Sequence, residues 1–297
     1  MKDSEVVISS VQNARVKALV ALQQKSAERR RTGLFVVEGR RELEHCVEGG
    51  MEVVEVWVCE EIAGREEWWQ DCGYAAAHTA EETRGAWGTE ETGGPREGEE
   101  TWKAGPAVVR VTRAVYEKLA YRGGTEGVMA VVRSRVLGLE DLRLGDRPLV
   151  LVVERVEKPG NLGAMLRSAD AAGVDAVLVC DALTDLWNPN LIRSSVGAVF
   201  TVPTVVCGSE ECIRFLQEHG IRILTAQLQD SRLYYDIDMR QATALVMGTE
   251  ATGLTEVWRR AADAHIRIPM LGRLDSLNVS VSAAVLLYEA VRQRELG

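Results

Sequence analysis

The chain has 297 residues, of which 46% are hydrophobic, and it carries a formal net charge of −9. This length exceeds one typical domain and the apolar residues suffice for at least one sizeable core, so we expect two domains. No apolar run is long enough to span a membrane, and the amino end lacks an apolar signal core, which predicts a soluble cytoplasmic protein without a membrane partner.

The charge is unevenly distributed along the sequence. From Ser10 to Arg41 eight basic residues stand against two acidic ones, whereas from Met51 to Gly105 fourteen acidic residues stand against four basic ones. A basic amino end suits contacts with RNA phosphates, although a solvated basic helix without any partner gives the same composition. The candidates for phosphate contact are Arg15, Lys17, Arg29, Arg30, Arg31, Arg40 and Arg41.

Residues 1–133 have the pattern of a small α/β domain. The spacing of apolar residues predicts an opening helix from Val11 to Ala27, capped by Ser9 or Ser10. Residues 81–105 combine glycine, threonine and acidic residues with little to bury, which predicts a flexible insertion. Strands are expected at Leu34–Val37, Val53–Val58, Pro106–Val111 and Gly127–Val132, and helices at Arg40–Glu48 and Ala114–Ala120.

After a linker at residues 134–147, residues 148–297 alternate regularly between strands and helices. Their strands are nearly continuous runs of Val, Leu and Ile, a pattern typical of a parallel sheet covered on both faces by crossover helices. The expected strands are Leu149–Val153, Ala176–Val179, Thr204–Val206, Arg222–Thr225, Ala244–Met247 and Ile266–Ile268. The expected helices are Leu162–Ala172, Leu191–Val196, Glu210–His219, Leu254–Ala262 and Ser276–Arg294.

The six cysteines never form a Cys-x-x-Cys pair, and most of them stand beside apolar residues. This pattern is typical of reduced thiols in a core, so we predict neither disulfides nor zinc ligands. The residues are Cys46, Cys59, Cys72, Cys180, Cys207 and Cys212.

Three turns rich in glycine, proline and small polar residues stand out in the second half: Glu154–Arg167, Gly248–Leu254 and Ile268–Ser282. Loops between strands and helices are where α/β folds bind ligands. The first turn lacks the three-glycine spacing of dinucleotide sites, and no phosphate-loop Gly-Lys-Ser/Thr occurs, so neither type of site is predicted. The first turn instead places Asn161 near a helix amino end, which favours polar or anionic ligands.

Taken together, the three turns resemble the motifs of the SPOUT superfamily, specifically its SpoU/TrmH branch of RNA ribose 2′-O-methyltransferases, from about Leu149 to the end. Residues Ser9–Gly50 and Leu119–Val132 resemble the ribosomal-protein-like substrate-binding domain often attached to this family. The resemblance implies an α/β fold with a mostly parallel sheet flanked by helices and a carboxyl-terminal trefoil knot, plus a smaller amino-terminal α/β domain. It also implies a homodimer, for which the apolar final helix is the natural surface.

The resemblance implies S-adenosylmethionine as cofactor, no metal, and ribosomal or transfer RNA as substrate. Main-chain groups near Gly248, Ile268 and Leu277 are implied to hold the adenosine part. The side chains implied to be important for catalysis are Asn161, Arg167, Glu250, Ser276 and Asn278.

Several of these residues also have a structural explanation. An arginine at position 167 can form a surface ion pair, an acidic residue at position 250 can cap a helix, and Ser276 and Asn278 are ordinary helix caps. Because a guanidinium is very hard to deprotonate, we expect Arg167 to grip an RNA phosphate and stabilise the developing alkoxide, and not to act as the base. The alternative function is a non-catalytic RNA-binding factor for ribosome assembly that keeps the same fold.

Overall fold

The computed structural model describes residues 7–64, 106–121, 126–249 and 252–296. The chain divides into two compact units: unit 1 comprises Met1–Arg135 with Trp187–Thr201, and unit 2 comprises Val136–Leu186 with Val202–Gly297. The predicted insertion at 81–105 lies outside the described residues. Within the described ranges, no helix combines the length and the hydropathy needed to cross a lipid bilayer.

Strands and helices alternate along most of the chain. The strands are β1 (Val7–Ile8), β2 (Leu34–Glu38), β3 (Val53–Val58), β4 (Ala107–Val111), β5 (Val128–Arg133), β6 (Leu149–Glu154), β7 (Ala176–Cys180), β8 (Thr204–Cys207), β9 (Arg222–Ala226), β10 (Arg232–Leu233), β11 (Thr243–Met247) and β12 (Ala264–Arg267). The helices are α1 (Ala14–Gln24), α2 (Ser26–Thr32), α3 (Arg40–Glu48), α4 (Glu60–Ala63), α5 (Arg113–Leu119), α6 (Pro159–Ala171), α7 (Pro189–Ser195), α8 (Ala198–Thr201), α9 (Ser209–Glu218), α10 (Glu256–Ala261) and α11 (Val279–Leu296).

Unit 1 is built on a mixed sheet with the strand order β1-β4-β3-β5-β2. β5 is antiparallel to both of its neighbours, whereas β4 runs parallel to β1 and β3. Trp57 and Tyr116 are almost fully buried against this sheet, together with apolar residues of α1 and α5. The amino-terminal half therefore has its own apolar core, as expected for a separate α/β domain.

The opening helix is two helices and not the single one predicted. The chain is extended at Lys25, and the buried guanidinium of Arg29 donates to the carbonyls of Leu22 (2.6 Å) and Gln23 (3.1 Å) at the end of α1. These bonds satisfy carbonyls that a helix end leaves without partners, so the break is stable. The cap of α1 is Asn13, whose side chain accepts from the Arg15 N–H at 2.9 Å, and not Ser9 or Ser10.

The segment Trp187–Thr201 groups with unit 1, whereas the sequence-based division put it in the carboxyl-terminal domain. The Trp187 ring stacks on Phe35 of β2, with centroids 4.5 Å apart, and the Phe200 ring also stacks on Phe35, with centroids 6.0 Å apart. His45 of α3 also bonds through Nδ1 to the Val196 carbonyl at 2.9 Å. Aromatic packing and this hydrogen bond explain the grouping.

Unit 2 contains an all-parallel sheet with the order β10-β12-β9-β11-β6-β7-β8. Every residue of β6, β7 and β11 is buried, which confirms the prediction of a parallel sheet flanked by helices. The last helix, α11, packs against α6, and the Tyr288 hydroxyl donates to the Ala171 carbonyl at 3.3 Å.

Three helix starts in unit 2 differ from the prediction by two to three residues, and each of these differences has a local cause. α6 begins at Pro159 because proline fits the first helical position, where no N–H is needed. α11 begins at Val279 because Asn278 caps it, and α10 begins at Glu256 because Thr255 is its cap. The short elements β10 and α8 were not predicted, since two to four residues carry too little periodicity.

Candidate functional site

The three predicted turns leave the same edge of the unit 2 sheet. β6 lies beside β11, and β9 separates β11 from β12, with all four strands parallel. The three strands that lead into the turns are β6, β11 and β12, which end at Glu154, Met247 and Arg267. Because parallel strands end at a common edge, loops that are distant in sequence meet there, and such an edge is the usual ligand-binding side of an α/β sheet.

The first and third turns are joined by a hydrogen bond between two side-chain amides. Asn161 lies in the first turn of α6 and is half-buried. Its Oδ1 accepts from Nδ2 of Asn278, at 3.2 Å, across a separation of 117 residues in sequence. The structure therefore brings together two of the predicted site residues.

Asn278 also caps α11, so the capping and the linking roles coexist in one side chain. Its Oδ1 accepts from the Ser280 N–H at 3.0 Å and from the Ser280 hydroxyl at 2.6 Å. The main-chain donor fixes which end of the amide is oxygen, so Nδ2 is the atom that faces Asn161. Ser276 does not cap the helix; its exposed hydroxyl donates to the Asp275 carboxylate at 3.4 Å.

The third turn is open to solvent along most of its length. Residues 271–278 are all exposed, Leu277 is 38% exposed, and Ile268 is half-buried. Within the described part of the chain, no hydrogen bond between main-chain groups joins residues 270–277 to another residue. Their N–H and C=O groups are thus available to a ligand.

The second turn is closed tightly on itself. Thr249 and Gly253 exchange main-chain hydrogen bonds of 3.2 and 3.1 Å, and Gly253 has the positive φ of 67° that glycine tolerates best. A β-carbon on the buried Gly248 would overlap the carbonyl carbon of Gly253, so only glycine fits there. Glu250, predicted as a site residue in this turn, lies outside the described residues.

Glu154, which is not among the predicted site residues, connects the end of β6 to the residue that follows the second turn. Glu154 is 1% exposed, and its carboxylate accepts from the Thr255 N–H at 2.9 Å and from the Thr255 hydroxyl at 2.5 Å. These charge-assisted bonds anchor the start of α10 to the end of β6. The signal in the sequence is a carboxylate that ends an otherwise fully apolar strand.

Arg167 lies on α6, six residues after Asn161, with its side chain exposed. Among the described residues, no carboxylate, carbonyl or hydroxyl bonds its guanidinium. Arg167 therefore does not form the surface ion pair that was the alternative explanation for it. Its permanent positive charge lies exposed on α6, the helix that begins at the site.

Four of the predicted phosphate-binding residues are engaged inside unit 1. Arg29 is 4% exposed and bonds main-chain carbonyls, so we exclude it from any RNA surface. Arg15 pairs with Glu55 at 2.9 Å and lies 5.4 Å from the centroid of the Trp57 ring. The remaining two pair with glutamates of their own helices: Arg31 with Glu28 and Arg40 with Glu44.

The other three predicted cations have no such partners. Lys17, Arg30 and Arg41 are exposed, and none of them forms an ion pair with a described residue. The Arg31 hydrogen bond lowers the pKa of the Glu28 carboxyl, which keeps that local pair ionised. Among the seven predicted phosphate-binding residues, the free positive charge is therefore concentrated on these three side chains.

Comparison with known proteins agrees with this geometry. Residues 148–288 match the SpoU rRNA Methylase family, and residues 13–130 match the MRM3-like substrate binding domain. The 23S rRNA (guanosine-2'-O-)-methyltransferase RlmB of Bordetella pertussis is 38% identical over 202 residues, which cover 66% of this chain and 82% of the relative.

Solved structures of the same type cover nearly the whole chain. A crystal structure of an RNA 2'-O ribose methyltransferase has 35% identity and a TM-score of 0.76, and the match covers 98% of this chain and all of the other. The SpoU methyltransferase AviRb from Streptomyces viridochromogenes, in complex with the cofactor AdoMet, has 27% identity, a TM-score of 0.78 and coverage of 96% and 100%. The resemblance seen in the three turns is confirmed, and the chain belongs to the SpoU rRNA methylase family.

Proposed function

We propose that this protein transfers the methyl group of S-adenosylmethionine to a ribose 2′-hydroxyl of ribosomal RNA, with a guanosine of the large-subunit RNA as the target. The observation that carries the proposal is the amide pair of Asn161 and Asn278, which joins the first and third motifs beside a free arginine. The relative from Bordetella pertussis, which bears the name of a guanosine-specific enzyme of 23S rRNA, supports the choice of substrate.

The residues present fit the cofactor. Its adenosine part needs main-chain donors and acceptors and an apolar wall, and the third turn offers both in its unpaired main-chain groups and in Ile268 and Leu277. Gly248 adds backbone without a side chain at the end of β11. When bound, S-adenosylmethionine supplies a methyl group already activated by its sulfonium, so the protein contributes positioning and needs no metal for this step.

Asn161 and Asn278 act as positioning residues. Their hydrogen bond holds the first turn of α6 at a set distance from the start of α11, and both helices begin at the cofactor edge. Holding the loops in this way aligns the ribose oxygen with the methyl carbon, and an error of about 1 Å in such an alignment costs about 100-fold in rate.

Arg167 binds the RNA phosphate next to the reacting sugar and stabilises the negative charge that develops on its 2′-oxygen. The guanidinium stays protonated throughout, so the hydroxyl proton passes to that phosphate or to a water molecule. The exposed position of Arg167 and its lack of a partner among the described residues support this role. Glu250 and Ser276 are proposed to complete the site, as the family resemblance implies.

The carboxyl-terminal segment forms a trefoil knot, and two copies of the chain form the working dimer. β11 lies between β6 and β9 although both precede it in sequence, an order that supports insertion of the later chain between earlier strands. On α11 and the turn before it, Leu277, Val281 and Tyr288 are 38%, 48% and 51% exposed. This apolar face supports a second copy as its cover.

Transfer of labelled methyl groups tests the function directly. Purified protein with labelled S-adenosylmethionine should label large-subunit ribosomal RNA, and mapping of 2′-O-methyl positions should find one guanosine that is unmodified in cells without the gene. Calorimetry on the same preparation distinguishes the alternative: RNA binding without any cofactor binding indicates the non-catalytic assembly factor and contradicts our proposal.

A further inference from the structure

Three cysteines from two regions of the sequence meet at the carboxyl ends of β7 and β8, on the same edge of the unit 2 sheet as the three turns. Cys180 ends β7, Cys207 ends β8, and the register of these parallel strands sets the two residues side by side. Cys212 lies in the first turn of α9, which follows β8. The three sulfur atoms all lie within 4.8 Å of one another, and those of Cys180 and Cys207 are 3.9 Å apart.

These separations are close to those of a thiolate metal site. Zinc binds thiolate sulfur at about 2.3 Å, so two sulfurs of a tetrahedral site lie roughly 3.8 Å apart. The Cys180 and Cys207 pair already has this spacing, and Cys212 needs only a small side-chain rotation to reach it. A shared cation is thus compatible with the backbone as it stands.

The charged side chain beside the cluster favours a cation over a reactive thiolate. Asp181 directly follows Cys180, and its carboxylate accepts from the hydroxyl of Ser209, two residues after Cys207. Reactive cysteines usually sit beside a positive charge, and among the described residues no hydrogen bond brings a cationic side chain to these three sulfurs. A bound cation would supply that missing positive charge.

The surroundings are shaped to hold the cysteines in place. Cys180 and Cys212 are buried in the apolar core of unit 2, while Cys207 is half-buried on β8, which is an edge strand of the sheet. The Ser209 hydroxyl donates to the Asp181 carboxylate at 2.6 Å and accepts from Trp258 Nε1 at 3.0 Å. This network ties the start of α9 to the end of β7, as supporting bonds do around known metal sites.

We propose that Cys180, Cys207 and Cys212 bind a thiophilic d¹⁰ cation, Zn²⁺, as a structural site that fastens the edge strand β8 to α9. Soft thiolate ligands select such ions over Mg²⁺ or Ca²⁺. The half-buried face of Cys207 provides the path by which the ion enters and leaves the fourth ligand position to water. None of the three cysteines belongs to a turn proposed to bind the cofactor, although the Arg155 N–H of the first turn donates to the Cys180 carbonyl at 2.9 Å. Metal content is measured without methyl transfer, so the test of this site does not depend on the proposed function.

Metal content and cobalt spectroscopy test the site on the full chain. Protein purified under reducing conditions with zinc in the growth medium should contain about one zinc per chain. The metal-free form should take up Co²⁺ and show sulfur-to-cobalt absorption with the intense visible bands of tetrahedral thiolate coordination. Cys207→Ala should lose both signals, whereas Cys46→Ala, which removes a buried cysteine of unit 1, should keep them.

Folding controls keep the outcome decisive. Cys207 is the most accessible of the three, so its alanine variant should give a native circular dichroism spectrum, and a chelator should lower the melting temperature of the parent protein but not of this variant. Parent protein that holds no zinc and gives no sulfur-to-cobalt absorption overturns the proposal. So does equal metal uptake by Cys207→Ala, or an oxidised Cys180–Cys207 pair in protein that never binds either ion.

Discussion

The basic segment of unit 1 and the three turns of unit 2 use their polar side chains in different ways. In the basic segment, Arg29 supports the end of a helix and Arg15 pairs with Glu55, so much of the positive charge serves the fold. In the turns, Asn161 and Asn278 meet across 117 residues and Arg167 is left free. A local excess of charge in the sequence does not show which side chains are free to bind a ligand. The three spaced motifs indicate which side chains meet in the fold, and they therefore identify the site.

Loss of Arg167 should have the largest effect of any single change, because it removes a charge that acts mainly in the transition state. We expect Arg167→Ala to lower turnover at saturating RNA by about 10² to 10³-fold while cofactor affinity measured by calorimetry stays the same. Arg167→Lys should recover part of the rate, since the charge remains but the planar fork is lost. Near-parental turnover by Arg167→Ala would contradict the role proposed for this residue.

The sequence predicts local elements well where periodicity and glycine agree. Arg40–Glu48 and Val53–Val58 were predicted with the bounds that the structure gives, and the apolar runs of unit 2 identified its parallel sheet. Contacts between distant residues could not be predicted in this way. The bond from Thr255 to Glu154 spans 101 residues, and it depends on which strands become neighbours.

The same limit explains the cysteine cluster. Cys180 and Cys207 are 27 residues apart, too far to form a local pair of ligands, and they become neighbours only because β7 and β8 pair with that register. The spacing of the cysteines in the sequence therefore predicts inert core thiols. The family motifs predict the contact between Asn161 and Asn278 although the two residues are distant in sequence, because the residue types of the motifs are those that meet in the folded protein.

Arg29 gives the sharpest test of charge that serves the fold. Removing its buried guanidinium leaves the Leu22 and Gln23 carbonyls without a donor, so Arg29→Ala should lower the free energy of unfolding by about 2 kcal/mol. Its exposed neighbour is the matched control, and Arg30→Ala should change stability by less than about 0.5 kcal/mol. Urea unfolding measures both, and equal stability of the two variants would show that Arg29 is not a structural residue.

The two functions of Asn278 can be separated with one substitution. Asn278→Asp keeps an oxygen that caps α11 but loses the Nδ2 donor to Asn161, so the melting temperature should hold while turnover falls about tenfold. Asn278→Ala should lose both the cap and the link, which adds about 1 kcal/mol of destabilisation. If Asn278→Asp keeps full turnover, the amide pair does not position the loops.

Loss of the unpaired cations Lys17, Arg30 and Arg41 should have the smallest effect on turnover and a clear effect on the salt dependence of RNA binding. Each lost phosphate contact reduces the slope of log affinity against log salt by about 0.7 to 0.9, so the combined Lys17→Ala, Arg30→Ala and Arg41→Ala variant should lose about two units of slope. Arg31→Ala with Arg40→Ala is the matched comparison, because these arginines pair with Glu28 and Glu44. Each of these two substitutions leaves an unpaired glutamate on the surface. If net charge alone set the slope, each of them would therefore lower it at least as much as one substitution of the unpaired set. A smaller loss per residue from the paired set than from the unpaired set would therefore show that position on the surface, and not net charge, governs phosphate contact.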